Sequence, residues 1–474
     1  SGAKPVLLAF GGGSGSAARN AARAGARPAL RPPVGGVAIR GKNGGCPARG
    51  GYLPLSFEKD MASAYACADY VLARAGSNTV FETLALKKPA LFVPLENRRS
   101  RGDQVQNALY FRERGLCRVL RERELTPASL ARGVFALRAD EELRRQQNIY
   151  VKEAADPEEI SIVFAGDILF DDRYAPMAKL LQRGKGIEGS ISAETLEVMR
   201  SADIFVVNNE FPYTGRGNPT EGKTFTFRAK PEYASLLLDM GADLVSLANN
   251  HAYDYGEVSL TDSLDILQGI GMPWMGAGRN LEEAGRPVYF IINDKKIAFI
   301  AATQIERIEN PDTKEATATS PGVFRCLDPE RLLTVVRNAK QVSDYVIVFI
   351  HWGTEGTDEL DWAQKDQAPK IAEAGADLII GAHPHVLQPL GYCGNTPVVY
   401  SLGNFLFNSK PLDSCLVRLT LDENGLKGLQ FLPARQEDCS VGLLEGSEKE
   451  RVLQYMRDIS DGVSIDRDGF VTKP

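Results

Sequence analysis

From residue 160 onward this chain repeats one pattern: a short apolar run, rich in Val, Ile, Leu and Phe, that closes on a carboxylate, a carboxamide or an imidazole. The runs are IVFAGD, closing on Asp167; DIFVVNNE, on Asn209 and Glu210; DLVSLANNH, on Asn250 and His251; DYVIVFIH, on His351; and DLIIGAHPH, on His383 and His385. Open α/β folds gather their ligands at the carboxyl ends of their strands. All four histidines of the chain stand at these ends. Histidines placed for packing alone would not keep that address.

Helix signals near 191–201, 231–240, 257–269, 329–340 and 364–374 alternate with strand signals at 160–165, 203–208, 243–248, 296–302, 345–350, 377–381 and 397–401. The expected class is therefore layered α/β. Near the end, LVRLTLDENGLKGLQFLPAR reads as a hairpin about Asn424 and Gly425.

The order of the polar strand ends suits a divalent metal (Mn, Zn or Fe, as one ion or two). A bridging carboxylate holds two cations about 3.5–4 Å apart, a geometry that acidifies water and clamps an in-line displacement. Neutral imidazoles complete the shells, and a histidine outside them can protonate a leaving oxygen.

With 474 residues, 43 % hydrophobic and 24 % charged, the chain has the composition of a soluble globular protein of two or three domains. The net charge of −6 hides an asymmetry: Lys and Arg outnumber Asp and Glu by 24 to 12 up to residue 150, and are outnumbered by 31 to 49 thereafter. The basic part suits anionic lipid or a nucleotide, hence a peripheral membrane contact; the acidic part argues against nucleic acid. Seven scattered cysteines without a C-x-x-C favour reduced thiols. No apolar run reaches the length of a membrane span and no signal peptide opens the sequence, which begins at Ser1. The expectation is a cytoplasmic protein or one peripheral at the inner membrane face, or an extracytoplasmic one should an anchor precede Ser1.

The expected boundaries are a first domain over 1–145, a linker over 146–159 and a second domain over 160–474. In the first, PVLLAFGGG reads as a strand entering a glycine-rich turn, with Gly12 and Gly13 as a candidate phosphate cradle. Residues 21–50 carry no acid and no apolar period, and read as irregular. From Tyr52 the pattern recovers. Asp60 and Met61 before a helix, Ala68 and Asp69 before a strand, ARAGSNTVFE at 73–82, the strand PALFVPL and DQVQNA at 103–108 together resemble the C-terminal, donor-binding half of the MurG-type glycosyltransferases. Those enzymes transfer N-acetylglucosamine from UDP-GlcNAc to a lipid-linked peptidoglycan precursor. The resemblance implies a Rossmann-like half-domain and UDP-GlcNAc as a partner. It also implies that Glu82 bonds the ribose hydroxyls and that Ser77, Thr79, Gln104 and Asn107 line the sugar site. The usual strand before Tyr52 is not legible, and the acceptor domain with its catalytic base is absent, so this half alone should not transfer sugar.

GDILF, NNEFP, ANNHAYDYG, HWGTE, GAHPHVLQP and YSLGNFLF resemble the CapA family of capsule and poly-γ-glutamate biosynthesis proteins, similar in fold to calcineurin-like metallophosphatases. The resemblance implies an α/β/β/α domain. In it Asp167, Glu210, Asn250, His351, His383 and His385 are metal ligands and His251 is the general acid. Asp254 and Glu355 are candidate partners that fix imidazole tautomers. Asn209 is a further candidate beside the site, and Arg228, in TFRAKPE, is one for holding an anionic substrate. One departure stands out. Leu169 occupies the place of the histidine in a phosphatase Asp-x-His, leaving the first subsite one ligand short.

The chain thus reads as a partial glycosyltransferase domain fused to a CapA-like domain with a metal-dependent phosphoesterase-like or amide-hydrolase-like site, acting on a small-molecule or polymer substrate of the cell envelope. Two other readings stay open on sequence alone: a non-catalytic assembly factor for a polymer synthase, and a peptidoglycan GlcNAc transferase truncated at its N-terminus.

Overall fold

The computed structural model describes residues 6–10, 35–39, 52–55, 61–66, 68, 70–85, 88–96, 102–113, 117–146, 148–305 and 314–473. The chain forms two compact units, Ser1–Gln147 and Asn148–Pro474.

The first unit holds β1 (Val6–Ala9), β2 (Gly35–Ile39), β3 (Tyr52–Leu55), β4 (Tyr70–Ala73), β5 (Ala90–Phe92) and β6 (Arg118–Val119). They make one parallel sheet in the order β3-β2-β1-β4-β5-β6. This is the doubly wound order, with its switch point between β1 and β4. Alternation along the strands feeds two layers. Leu7, Ala9, Tyr70, Leu72 and Leu91 pack with Leu130, Val134 and Leu137 of the helix Pro127–Gln146. Leu8, Val71, Ala73, Ala90 and Phe92 pack on the other face with Tyr65, Val80 and Ala108. Strand β2 corrects the expectation that residues 21–50 hold no element: GGVAI pairs in register with β1 on one side and β3 on the other. A five-residue strand between Pro-, Gly- and Arg-rich stretches is too short to show a period. The rest of 21–50, and Gly12 and Gly13, lie outside the described residues.

The second unit stacks two sheets. One contains β8 (Ile160–Ile168), β9 (Ile204–Asn209), β10 (Leu244–Ser246), β11 (Trp274–Met275), β20 (Asn404–Leu406), β21 (Leu412–Asp422), β22 (Gly425–Glu437), β23 (Ser440–Leu443), β24 (Ser464–Ile465) and β25 (Phe470–Thr472). Its order is β11-β10-β9-β8-β21-β22-β25-β24, with β20 against β8 and β23 against β22. The other contains β7 (Ile149–Val151), β13 (Val288–Ile292), β14 (Lys295–Thr303), β16 (Tyr345–His351), β17 (Leu378–Ala382), β18 (Leu390–Cys393) and β19 (Thr396–Val399), in the order β18-β19-β17-β16-β14-β13-β7. A small pair, β12 (Ala277–Gly278) and β15 (Gly322–Val323), stands apart.

Each central strand is apolar on both faces because each face meets a different layer. Ile162, Phe164, Ile204 and Val206 meet Ile297, Phe299, Ile347, Phe349 and Ile380 between the sheets. Val163, Phe205 and Val207 face outward to Leu196, Leu237, Leu260 and Leu264 of covering helices. On the far side, Ala298, Ile300, Val346 and Val348 meet Leu332, Val336 and Ile371. The result is the layered α/β/β/α domain. Side chains cap some of its helices: Ser192 accepts from Thr195 N, and Asp361 forms a capping box with Gln364.

The stretch read as a linker over 146–159 instead carries β7, which pairs in parallel with β13 and so belongs to the second unit's sheet. Acid- and Pro-containing sequence after it masked a three-residue edge strand. Among the described residues no helix is long and apolar enough to cross a membrane, and the described cysteines are unpaired.

Candidate metal centre

The strand ends are aimed by backbone detail. In β8 the ladder with β9 shifts register between Ala165 and Asp167. Gly166 sits at this shift, where a Cβ would lie 1.9 Å from the Gly403 carbonyl oxygen. The close approach sets Asn404 opposite Asp167 in the β8–β20 ladder. In β9, Ile204 and Val206 point between the sheets, so Asn208 and Glu210 continue that face beyond the core. The loop after β10 supplies Asn249, Asn250 and His251, β16 ends on His351, and the turn after β17 supplies His383 and His385. Both of these histidines hold positive φ, 102° and 61°. Such conformations cost of order 1–3 kcal/mol each and persist where the surroundings over-determine them.

The side chains converge. His383 Nδ1 lies 3.1 Å from His351 Nε2, which is 2.8 Å from Asn250 Oδ1 and 3.4 Å from Glu210 Oε1. On the other side His385 Nδ1 lies 3.0 Å from Asp167 Oδ2 and 2.9 Å from Asn404 Oδ1. Asn208 Nδ2 donates to Asp167 Oδ1 at 2.7 Å and to Glu210 Oε2 at 3.3 Å. Two groups can each hold an ion, Glu210–His351–His383 and Asp167–Glu210–His385, and Glu210 is common to both. Its Oε1 is buried with no hydrogen-bond partner among the described residues. A buried, unpaired carboxylate oxygen ringed by imidazoles fits a cation far better than it fits an apolar or water-filled core. His251 stands outside both groups. Its Nδ1 is 2.7 Å from Asp254 Oδ2, and its ring packs on Phe227 with centroids 4.3 Å apart. Lys223 Nζ pairs with Asp254 Oδ1 at 2.6 Å, and Phe227 N donates to Asp254 Oδ2 at 2.6 Å.

The electrostatics follow from burial. Burial, and then the Asp167 charge beside it, holds the Glu210 carboxyl well above the usual carboxylate range. Burial also raises Asp167, but the His385 hydrogen bond and nearby imidazoles outweigh it and leave that carboxyl below its ordinary value. His351 is pushed down to about 3 by burial, with Asp167 only partly opposing. Burial lowers His251 despite Asp254. For His385 the same burial is overcome by the hydrogen bond and charge of Asp167, which raise it. Two adjacent buried carboxylates cannot both carry charge cheaply without a cation, and neutral imidazoles are the form that binds one.

Residues 161–409 match the profile of the family "Bacterial capsule synthesis protein PGA_cap". The chain belongs to that family. The PGA biosynthesis protein CapA of Bacillus subtilis (strain 168) is 32 % identical over 279 residues, covering 58 % of this chain and 71 % of the relative. The capsule biosynthesis protein CapA of Bacillus anthracis is 32 % identical over 249 residues, 51 % of this chain and 59 % of the relative. Residues 47–158 match the Glycosyltransferase family 28 C-terminal domain. A UDP-N-acetylglucosamine--N-acetylmuramyl-(pentapeptide) pyrophosphoryl-undecaprenol N-acetylglucosamine transferase of Geobacillus kaustophilus (strain HTA426) is 38 % identical over 160 residues, 33 % of this chain and 44 % of the relative. The crystal structure of Acinetobacter baumannii MurG is 29 % identical with a TM-score of 0.26, over 29 % of this chain and 42 % of that one. The chain thus spans less than half the length of these two transferases.

Of the residues singled out in this PGA_cap-family chain, Asp167, Glu210, Asn250, His351, His383 and His385 share one cluster, with His251 and Asp254 paired next to Asn250. Asn209 does not join them: it lies on the opposite face of β9 and donates to the Phe211 carbonyl at 2.6 Å. Glu355 Oε1 stands 3.9 Å from His383 Nε2, too far for a hydrogen bond, with its side chain 54 % exposed. The Arg228 guanidinium lies 4.6 Å over the Tyr255 ring. In the first unit, Asn107 Nδ2 donates to Ser77 Oγ at 3.3 Å and Gln104 Oε1 accepts from Leu95 N at 3.0 Å. The Thr79 carbonyl accepts from Thr83, and Glu82 is exposed. Sequence reasoning missed Asn208, Asn404 and Lys223. The period of β9 could have found Asn208; the other two arrive through contacts distant in the chain.

Proposed function

We propose that the second unit is a metal-dependent hydrolase, or transferase, acting at a phosphate-ester or amide linkage during synthesis of an anionic cell-envelope polymer. The observation that carries this reading is Glu210, a fully buried carboxylate shared by two three-residue ligand groups. When bound, divalent cations there would supply Lewis acidity toward the scissile group and toward water. The chain's own residues do the rest. Asn208 orients both carboxylates through its single amide nitrogen. Asp254, held by Lys223 and Phe227 N, fixes the His251 ring through Nδ1, so that in the protonated ring Nε2 is the nitrogen left to give a proton to a leaving oxygen or nitrogen. Phe227 and Phe407 pack on the His251 and His385 rings and limit water. The first unit would offer a donor-sugar surface without transfer chemistry.

The test uses a panel of aryl phosphodiesters and γ-glutamyl amides with the full chain. Turnover should require Mn, Zn or Fe and vanish with chelation. His251→Ala should cost about 10²–10⁴-fold while metal stays bound; His383→Ala should lose metal. Metal loss in His251→Ala would overturn the division of roles. Metal-loaded protein inactive on every substrate would favour an assembly role.

A further inference from the structure

Leu169 leaves the Asp167–His385 subsite short of a ligand, and the structure points to where the missing group comes from. Leu169 is buried in the outer helix-covered core, and its backbone N–H is spent on the Leu406 carbonyl at 2.9 Å. The strand that accepts this bond is β20, and β20 begins with Asn404. Asn404 is fully buried, stands opposite Asp167 in the ladder, and sends Oδ1 to within 2.9 Å of His385 Nδ1. Asp167 Oδ2 lies 3.0 Å from the same nitrogen. Atoms bonded to one ion at about 2.1 Å and at right angles to one another are about 3.0 Å apart. Each oxygen therefore stands from this nitrogen at the spacing of neighbours in a single coordination shell. The second subsite shows the same spacing independently, in the 2.8 Å and 3.1 Å separations of His351 Nε2 from Asn250 Oδ1 and His383 Nδ1. There two ring nitrogens face each other at the separation a shared cation would give. Among the described residues the Asn404 Nδ2 has no hydrogen-bond partner, so the amide is held through Oδ1 alone.

We propose that the Asn404 carboxamide oxygen is a metal ligand that completes the Asp167–His385 subsite in place of the side chain Leu169 does not supply. The assignment rests on the two-cation reading above. It gives each subsite one carboxamide oxygen, Asn404 on one side and Asn250 on the other, around the shared Glu210. It also accounts for the close packing of Gly166 on Gly403, which brings Asn404 into reach.

The test is a crystal structure of the unaltered full chain grown with manganese(II), with ions located by anomalous scattering. It is paired with the manganese content of wild type, Asn404→Ala and Asn404→Asp. The expected result is an ion beside Asp167 and His385 with Asn404 Oδ1 about 2.0–2.3 Å away. Asn404→Ala should hold one ion where wild type holds two, and Asn404→Asp, which keeps an oxygen donor, should hold both. An ion at that subsite with the Asn404 oxygen more than about 3 Å away overturns the assignment and leaves the two-cation reading intact. Asn404→Ala with both ions does the same, whereas wild type with an ion at the His351–His383 subsite alone overturns the assignment and the two-cation reading beneath it. Absence of any ion from both subsites overturns the assignment and the reading beneath it. The crystal structure needs no variant, so the answer stands even if Asn404→Ala does not fold.

Discussion

Both units hang polar side chains beyond the carboxyl ends of parallel strands, yet they use them differently. In the second, Asp167, Asn208, Glu210, His351 and Asn404 are almost wholly buried, come from strands of two facing sheets and touch one another. In the first, Ser77, Gln104 and Asn107 sit near the starts of two helices over one sheet, remain half-buried or exposed, and satisfy each other or a nearby backbone N–H. A site built from two sheets can exclude water and bury charge; a site with one wall cannot. Burying an unpaired carboxylate oxygen is costly unless something repays it. On the proposed reading the second unit depends on a cation there, whereas the first loses little without a ligand.

That contrast can be broken in solution. Manganese(II) at about 100 times its dissociation constant should stabilise the second unit by about 2.7 kcal/mol and leave the first unit's unfolding unchanged. Thermal unfolding followed with and without chelator measures both. Equal shifts in the two units would erase the distinction.

A sharper probe is proton release. In the metal-free protein the raised Glu210 carboxyl keeps its proton above the usual carboxylate range. A cation must displace that proton, so affinity should fall as pH falls, by up to about tenfold per pH unit below the Glu210 pKa. Calorimetric titrations in buffers of different ionisation enthalpy count the protons, and Glu210→Gln should remove this release. A pH-independent affinity would mean that Glu210 is already ionised without metal.

The smallest effect belongs to the first unit. Asn107→Ala should change its stability by less than about 0.5 kcal/mol, and the wild-type chain should transfer no GlcNAc from UDP-GlcNAc to a lipid-linked acceptor. Measured transfer would show that one wall suffices after all.

Much of the second unit was legible because its strands are covered on both faces and announce themselves as apolar runs; the polar residue closing each run marks its carboxyl end. Legibility failed where position depends on register. Asn209 and Asn208 are neighbours of identical type, and only the alternation set by Ile204 and Val206 tells which one shares a face with Glu210. Asn404 acquires its place from β20 lying on β8, a pairing across more than two hundred residues that no local pattern encodes. Strands β2 and β7 are short and owe their form to neighbours already in the sheet, so their own sequences carry little signal.

The central claim is that Glu210 joins two cation subsites. It is tested most directly by elemental analysis of the full chain after saturation with manganese(II) and removal of free ion, beside Glu210→Gln. Wild type should retain about two ions per chain, and the variant, deprived of the shared oxygen anion, should retain fewer than one. A wild type that retains none, or a Glu210→Gln protein that retains as much as wild type, would contradict the account.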